Sequence, residues 1–153
     1  MDKSLLAEML SGRVVIACVG NELRGDDGVG PFISHLIKPT ERVQVVNCGE
    51  TPENFLGVIA GLKPEKIVII DAAHLGAEPG ETRVVRKDEI AGGGISTHDA
   101  ILTIFANYIE EETGAETIFL AIQPERSEMG QRLSRPVEEA GRQIAAAINE
   151  IIE

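Results

Sequence analysis

Three loops of the sequence carry side chains that could perform acid–base or metal chemistry. The first contains two adjacent carboxylates, Asp26 and Asp27, between a predicted strand and a predicted helix. In the second, Asp71 closes the apolar run 67–70, and in the third, His98 follows a run of glycines. A carboxylate at the mouth of a buried strand is costly unless it has a partner or a metal. Two carboxylates and a histidine form an incomplete ligand set, which suits a divalent transition metal such as nickel or zinc with open coordination positions.

Each of these residues also has a purely structural interpretation. One of the two adjacent aspartates could cap the helix that follows, where the helix dipole favours negative charge. Asp71 could simply form the turn that ends its strand, and His74, three residues later, is expected to be solvated. His98 precedes a predicted helix, whose dipole disfavours imidazolium, so the ring should stay neutral and able to bind a metal.

The sequence lacks the motifs of several other common kinds of site. The glycine-containing loop 20–30 does not have GxGxxG spacing, and its two aspartates would repel a pyrophosphate, so we reject nucleotide binding. The chain has no HExxH or GxSxG motif. Its two cysteines, Cys18 and Cys48, lie in or at the end of apolar runs and are predicted to be buried free thiols, as is usual in a reducing compartment.

The elements that must position these side chains alternate along the chain. Apolar runs predict strands at 14–19, 42–48, 66–70, 82–87 and 117–122, and helical spacing predicts helices at 26–37, 53–62, 99–112 and 137–152. The link before the strand at 82–87 is too short for a crossover, which predicts an antiparallel edge strand. We therefore expect a three-layer α/β/α sandwich with a mostly parallel sheet of about five strands. In such sheets the ligand site lies beyond the carboxyl ends of the strands, where the three loops emerge.

Length and charge bound the function further. The 153 residues are predicted to form a single domain, 1–153, because apolar residues make up 43% of the chain and no repeat or linker interrupts it. With 14 Lys+Arg against 25 Asp+Glu, the net charge of −11 argues against nucleic-acid and membrane-surface partners. No stretch is long and apolar enough for a signal peptide or a membrane span, so we expect a soluble, cytoplasmic protein.

The motifs together resemble those of the hydrogenase maturation endopeptidases, and most closely those of the HycI type. The similarity extends from about residue 13 to residue 150 and rests on four segments: Gly20-Asn21 through Asp26-Asp27-Gly28-Val29-Gly30-Pro31, Ile70-Asp71-Ala72, Ser96-Thr97-His98-Asp99 and Ala121-Ile122-Gln123-Pro124. The resemblance implies an endopeptidase that removes a C-terminal extension from the large-subunit precursor of nickel-iron hydrogenase after nickel insertion.

The resemblance also assigns roles to individual residues. It implies that Asp27, Asp71 and His98 engage the nickel, that the metal belongs to the substrate, and that the free enzyme, expected to be a monomer, holds no tightly bound metal. We expect a metal-polarised carbonyl or a metal-activated water, with one aspartate as general base and with Asp26 and Asn21 supporting the ligands by hydrogen bonds. Two alternatives stay open: a module that checks or escorts nickel without cleavage, and a small-molecule hydrolase on a related scaffold.

Overall fold

The computed structural model describes residues 1–87, 89 and 99–153, with the backbone alone described for 99–101. The helices of these ranges are α1 (Lys3–Met9), α2 (Val29–Leu36), α3 (Leu56–Gly61), α4 (Asp99–Thr113) and α5 (Arg135–Ile152). The strands are β1 (Val14–Val19), β2 (Val43–Gly49), β3 (Lys66–Ala72), β4 (Thr82–Val85) and β5 (Glu116–Ile122). Short 3-10 helices at Gly25–Gly28 and Pro52–Phe55 lead into α2 and α3.

The five strands form one sheet in the order β2-β1-β3-β5-β4. Neighbouring strands from β2 to β5 run parallel, and β4 pairs antiparallel with β5 at the edge. The predicted mostly parallel sheet with an antiparallel edge strand is therefore confirmed. The central strands β1 and β3 are buried nearly throughout, which explains why they appear in the sequence as continuous apolar runs rather than alternating ones.

Helices cover both faces of the sheet and give the predicted three layers. Helices α1, α2 and α5 pack against one face through residues such as Ile33 and Ile144. The other face is covered by α3 and α4 through Ile59 and Phe105. Among the helices of the described ranges, none has the length and apolar character that a membrane span requires.

The direction of α4 fixes which edge of the sheet its first residue reaches. Only Gly114 and Ala115 separate α4 from β5, and the buried side of α4 packs on the sheet along its length, so the helix runs antiparallel to β5. Its 15 residues span about 22 Å at 1.5 Å per residue. The seven residues of β5 span a similar distance. The start of α4 therefore lies near the carboxyl ends of the parallel strands.

Several elements differ from the sequence prediction in extent or in kind. The short helix α1 was not predicted, although Asp2 caps it by accepting hydrogen bonds from the backbone N–H groups of Ser4 and Leu5. The helix predicted at 26–37 is a 3-10 turn followed by α2, and α5 begins two residues early because Pro136 is accepted in a first turn.

Gly30 in the first turn of α2 provides a test of the packing between this helix and the sheet. A Cβ atom there would collide with the carbonyl oxygen of Val19 and would lie 2.9 Å from that of Ile70. We expect Gly30→Ala to lower the free energy of unfolding by about 1–3 kcal/mol, measured by urea denaturation. Gly57→Ala is the matched control, because a Cβ atom at Gly57 would meet nothing within 4 Å. Replacing this helical glycine with alanine should stabilise the protein by about 0.5–1 kcal/mol. Equal effects of the two changes would contradict the close approach.

Candidate functional site

The first candidate residue, Asp27, lies in the loop that connects β1 to α2. The loop forms a 3-10 turn over Gly25–Gly28, and neither this turn nor α2 has a side-chain cap. The interpretation of Asp26 or Asp27 as a helix cap is therefore wrong. The half-buried Asp27 instead accepts a hydrogen bond at Oδ2 from the backbone N–H of Asn21, at 3.0 Å. This bond orients the carboxylate, so the predicted support by Asn21 comes from its main chain.

Asp26 has a different environment from its neighbour. Its side chain is fully buried, and its oxygens accept hydrogen bonds from the backbone N–H groups of Glu125, Arg126 and Ser134 at 2.6–3.0 Å. The hydroxyl of Ser134 donates a further bond, at 2.8 Å. These four bonds tie the β1–α2 loop to the segment between β5 and α5. The described contacts of the Asp26 carboxylate thus brace two loops, and direct support of Asp27 by this carboxylate is not among them.

Asp71 is the penultimate residue of β3, and only 4% of it is exposed. It pairs with Ala121 of β5, at the carboxyl ends of both strands. Because side chains alternate along a strand, Asp71 shares the face of Ile67 and Ile69, which is the face that α3 and α4 cover. The strand was predicted to end at Ile70, but it includes the aspartate, which places this carboxylate at the rim of the core.

The fold brings Asp27 and Asp71 to the same edge of the sheet. The glycine that permits this is Gly30, whose backbone approaches the last residue of β1 and the carbonyl oxygen of Ile70. Asp27 lies three residues before Gly30, Asp71 directly follows Ile70, and the 3-10 turn that holds Asp27 contacts β3. Asp27 and Asp71 therefore both lie within three residues of one backbone contact, at the carboxyl edge where the sequence predicted them.

The third candidate, His98, lies outside the described residues, as do Ser96 and Thr97. The chain is described again from Asp99, where α4 begins at the carboxyl edge of the sheet. Searched over the described residues alone, the chain holds no cluster of three His, Cys, Asp or Glu side chains that could bind a metal. His74, the other histidine near Asp71 in sequence, is exposed, as expected.

Gln123 positions the segment that follows Asp71, a role that the sequence did not predict. The buried Gln123 accepts a hydrogen bond at Oε1 from the backbone N–H of Leu75 at 2.6 Å, and its carbonyl oxygen accepts one from Gly80. Its side-chain amide donates to the carbonyl of Pro124 at 2.9 Å. The Gln-Pro dipeptide at the end of β5 is the signal that could have located this brace.

A groove of about 390 Å³ lies beside the loop of Asp27. Its walls come from the start of that loop, from Pro31 of α2 and from the carboxyl end of β2, and they include the exposed carboxylates Glu22 and Glu50. The other lining residues are Gly20, Asn21, Leu23, Asn47 and Gly49. Such a groove can hold an extended peptide beside the loop that carries Asp27.

Both cysteines are buried free thiols, as predicted. Burial raises the pKa of the Cys18 thiol far above its ordinary value, and the nearby Cys48 raises it further. Burial, together with the negative charge of Glu53, raises the pKa of Cys48 to about 12. Because a thiol must ionise to act as a nucleophile, cysteine chemistry at this edge is disfavoured.

Known proteins share this fold and much of the sequence. The family model for HycI, the hydrogenase maturation protease, matches residues 32–152. The hydrogenase 3 maturation protease of Escherichia coli K12 is 35% identical over 129 residues, which cover 82% of each chain.

Two solved structures are similar as well. The crystal structure of the NiFe hydrogenase maturation protease HycI from Thermococcus kodakarensis has a TM-score of 0.89 and 36% identity, and the match covers 97% of this chain and 98% of that one. The solution structure of the endopeptidase HycI from E. coli has a TM-score of 0.79 and 29% identity, with 92% and 91% covered. The family match spans most of the chain and includes the segments that carry Asp71 and His98. The chain therefore belongs to the hydrogenase maturation protease family.

Proposed function

We propose that this chain is an endopeptidase that removes the C-terminal extension from the large-subunit precursor of a nickel-iron hydrogenase after nickel has been inserted. The observation that carries the proposal is the placement of Asp27 and Asp71 at the carboxyl edge of the sheet, in a chain of the hydrogenase maturation protease family. The relatives' names support the choice of substrate, since one is a protease of hydrogenase 3 and another of a NiFe hydrogenase.

We further propose that Asp27, Asp71 and His98 engage the nickel that the precursor carries. Carboxylate oxygens and a neutral imidazole are suitable ligands for a divalent metal that already has ligands from another chain. The role of His98 as a nickel ligand is proposed from its sequence motif. It is supported by the position of the start of α4, which lies at the same edge of the sheet. In this proposal the nickel is the feature by which the enzyme distinguishes a precursor that is ready for cleavage from one that still lacks the metal.

Cleavage then requires a water molecule and a base at the same edge. Docking on the nickel places the scissile bond beside Asp27 and Asp71, and the metal polarises either the carbonyl or the attacking water. One aspartate removes a proton from this water as the oxygen adds to the carbonyl carbon, and a proton passes to the leaving amine when the C–N bond breaks. The proton donor and acceptor are thus the chain's own carboxylates.

The test is mass spectrometry of a nickel-loaded precursor and a nickel-free precursor, each incubated with the wild-type protein. We expect the C-terminal extension to be lost from the nickel-loaded form alone. The enzyme should keep its activity after treatment with a chelator and desalting, because the proposed metal arrives with the substrate. Activity that disappears with the chelator and returns with added metal would show instead that the metal belongs to the enzyme.

Two further outcomes separate the alternatives. If the nickel-loaded precursor binds but stays intact, the chain is a nickel-checking or escort module. Turnover of simple esters or peptides, with the precursor untouched, would indicate a small-molecule hydrolase. We propose that the protein acts in the cytoplasm as a monomer, which fractionation and light scattering of the native protein would check.

A further inference from the structure

Two large apolar side chains are exposed next to the candidate site. Leu23 of the β1–α2 loop is 65% exposed, and Met129 of the segment between β5 and α5 is 59% exposed. The backbone N–H of Gly130, the residue after Met129, donates a hydrogen bond to the carbonyl of Leu23 at 2.8 Å. The two side chains therefore belong to adjoining backbone segments, and we call them the Leu23–Met129 platform.

The backbone under this platform is firmly braced. Gly25 donates to the carbonyl of Gln131 at 3.0 Å and Asp26 to that of Arg126 at 2.8 Å, in addition to the four bonds that the Asp26 carboxylate accepts. Gly25 has a φ of 52°, and a Cβ there would lie 2.8 Å from the carbonyl oxygen of Arg126, so the two segments pack closely. The exposed side chains thus stand on a preorganised surface, which lowers the entropic cost of a contact.

A single exposed apolar residue needs no explanation, but the position of this pair does. Leu23 lies four residues before Asp27 and also lines the groove beside it, so the platform continues the surface on which a peptide would reach Asp27. The charged neighbours have mixed signs, with Arg24 between Glu22 and the acidic 3-10 turn, so that apolar contact is the feature that distinguishes this patch.

We propose that the Leu23–Met129 platform is a docking contact for apolar side chains of the hydrogenase large-subunit precursor, close to its cleavage site. This inference rests on the proposed function. The platform strengthens binding of the precursor and takes no part in the chemical step. Substitutions there affect KM and leave kcat unchanged.

The test compares Leu23→Ser and Met129→Ser with Ile104→Ser, a matched control on α4 that is 68% exposed. Cleavage of the nickel-loaded precursor is followed by mass spectrometry, and binding of the precursor to each variant is measured within the first turnover, before the extension is lost. We expect Leu23→Ser to raise KM and the dissociation constant about tenfold, as expected when the burial of one leucine side chain is lost. Met129→Ser should act in the same direction, Leu23→Met should restore binding, and Ile104→Ser should match the wild type.

The outcomes for the platform and for the proposed function are distinguishable. If Leu23→Ser cleaves the precursor with an unchanged KM, the proposed docking contact is wrong and the proposed peptidase function is unaffected. Weaker binding in Leu23→Ser, with no cleavage by the wild type, supports the platform and overturns the peptidase. A Leu23→Ser variant that loses kcat and thermal stability together, or an equal loss in Ile104→Ser, also overturns the docking contact. Absence of any binding by the wild type overturns both proposals.

Discussion

Asp71→Asn is expected to lower kcat/KM for precursor cleavage by a factor of about 100 to 10,000, the range that general acid–base groups supply. The substitution preserves the size of a side chain that is only 4% exposed, so the fold should survive. What it removes is the carboxylate at the carboxyl end of β3, to which the proposed function assigns the role of a metal ligand or of a base. Asp27→Asn should cause a loss of similar size, measured by the same mass-spectrometric assay.

The matched control for both variants is Asp2→Asn. Asp2 caps α1, and asparagine is an equally good cap, so this change should leave both stability and cleavage at wild-type values. Circular dichroism and thermal melting check that each variant is folded. Cleavage by Asp71→Asn at the wild-type rate would remove Asp71 from the proposed machinery.

Binding measurements divide the two roles between the aspartates. A variant that no longer binds the nickel-loaded precursor has lost a metal ligand. A variant that still binds the precursor but leaves it intact has lost the base. His98→Ala belongs in the same series, and His74→Ala is its control, because His74 is exposed and lies outside the proposed ligand set. Equal losses in both histidine variants would contradict the role assigned to His98.

Local patterns in the sequence were sufficient to predict the sheet and the edge at which the candidate residues Asp27 and Asp71 lie. The strands β1 and β3 are continuous apolar runs because helices cover both of their faces. The rule that ligands bind at the carboxyl ends of parallel strands then placed Asp27 and Asp71 together without any knowledge of contacts. In the structure, Gly30 of the same motif allows the start of α2 to approach the carbonyl oxygen of Ile70, the residue before Asp71.

Contacts between distant parts of the chain could not be predicted in the same way. The groups that donate to the Asp26 carboxylate lie 99 to 108 residues away, and those that donate to the side-chain oxygen of Gln123 lie 46 and 48 residues away. A local pattern can single out such a side chain, but it does not identify partners so distant in sequence. The groove and the Leu23–Met129 platform likewise depend on how two loops adjoin. The contribution of His98 to the site stays a prediction, because that residue is outside the described part of the chain.

Asp26→Asn is expected to lower the free energy of unfolding by about 3 kcal/mol, because buried donors that lose a charged acceptor stay unsatisfied. An asparagine amide keeps one oxygen. It can accept from the backbone N–H of Ser134 on one side, or from the backbone N–H groups of Glu125 and Arg126 and the Ser134 hydroxyl on the other, but not from both sides. Ser134→Ala removes only the hydroxyl donor and should cost about 1 kcal/mol. Urea denaturation measures both values, and an Asp26→Asn effect no larger than that of Ser134→Ala would contradict the bracing role.

The two adjacent aspartates should therefore respond in opposite ways to the same substitution. Asp27 is half-buried with one described main-chain bond, so Asp27→Asn should cause the large loss of cleavage predicted above while the unfolding free energy changes little. Asp26 is fully buried and braces two loops, so the main effect of Asp26→Asn should be a lower free energy of unfolding. Those loops carry the Leu23–Met129 platform. At a low temperature, where the Asp26→Asn variant is still folded, its cleavage of the precursor should therefore show a raised KM and a nearly normal kcat. A loss of kcat in folded Asp26→Asn, with KM unchanged, would instead place Asp26 among the groups that act on the substrate.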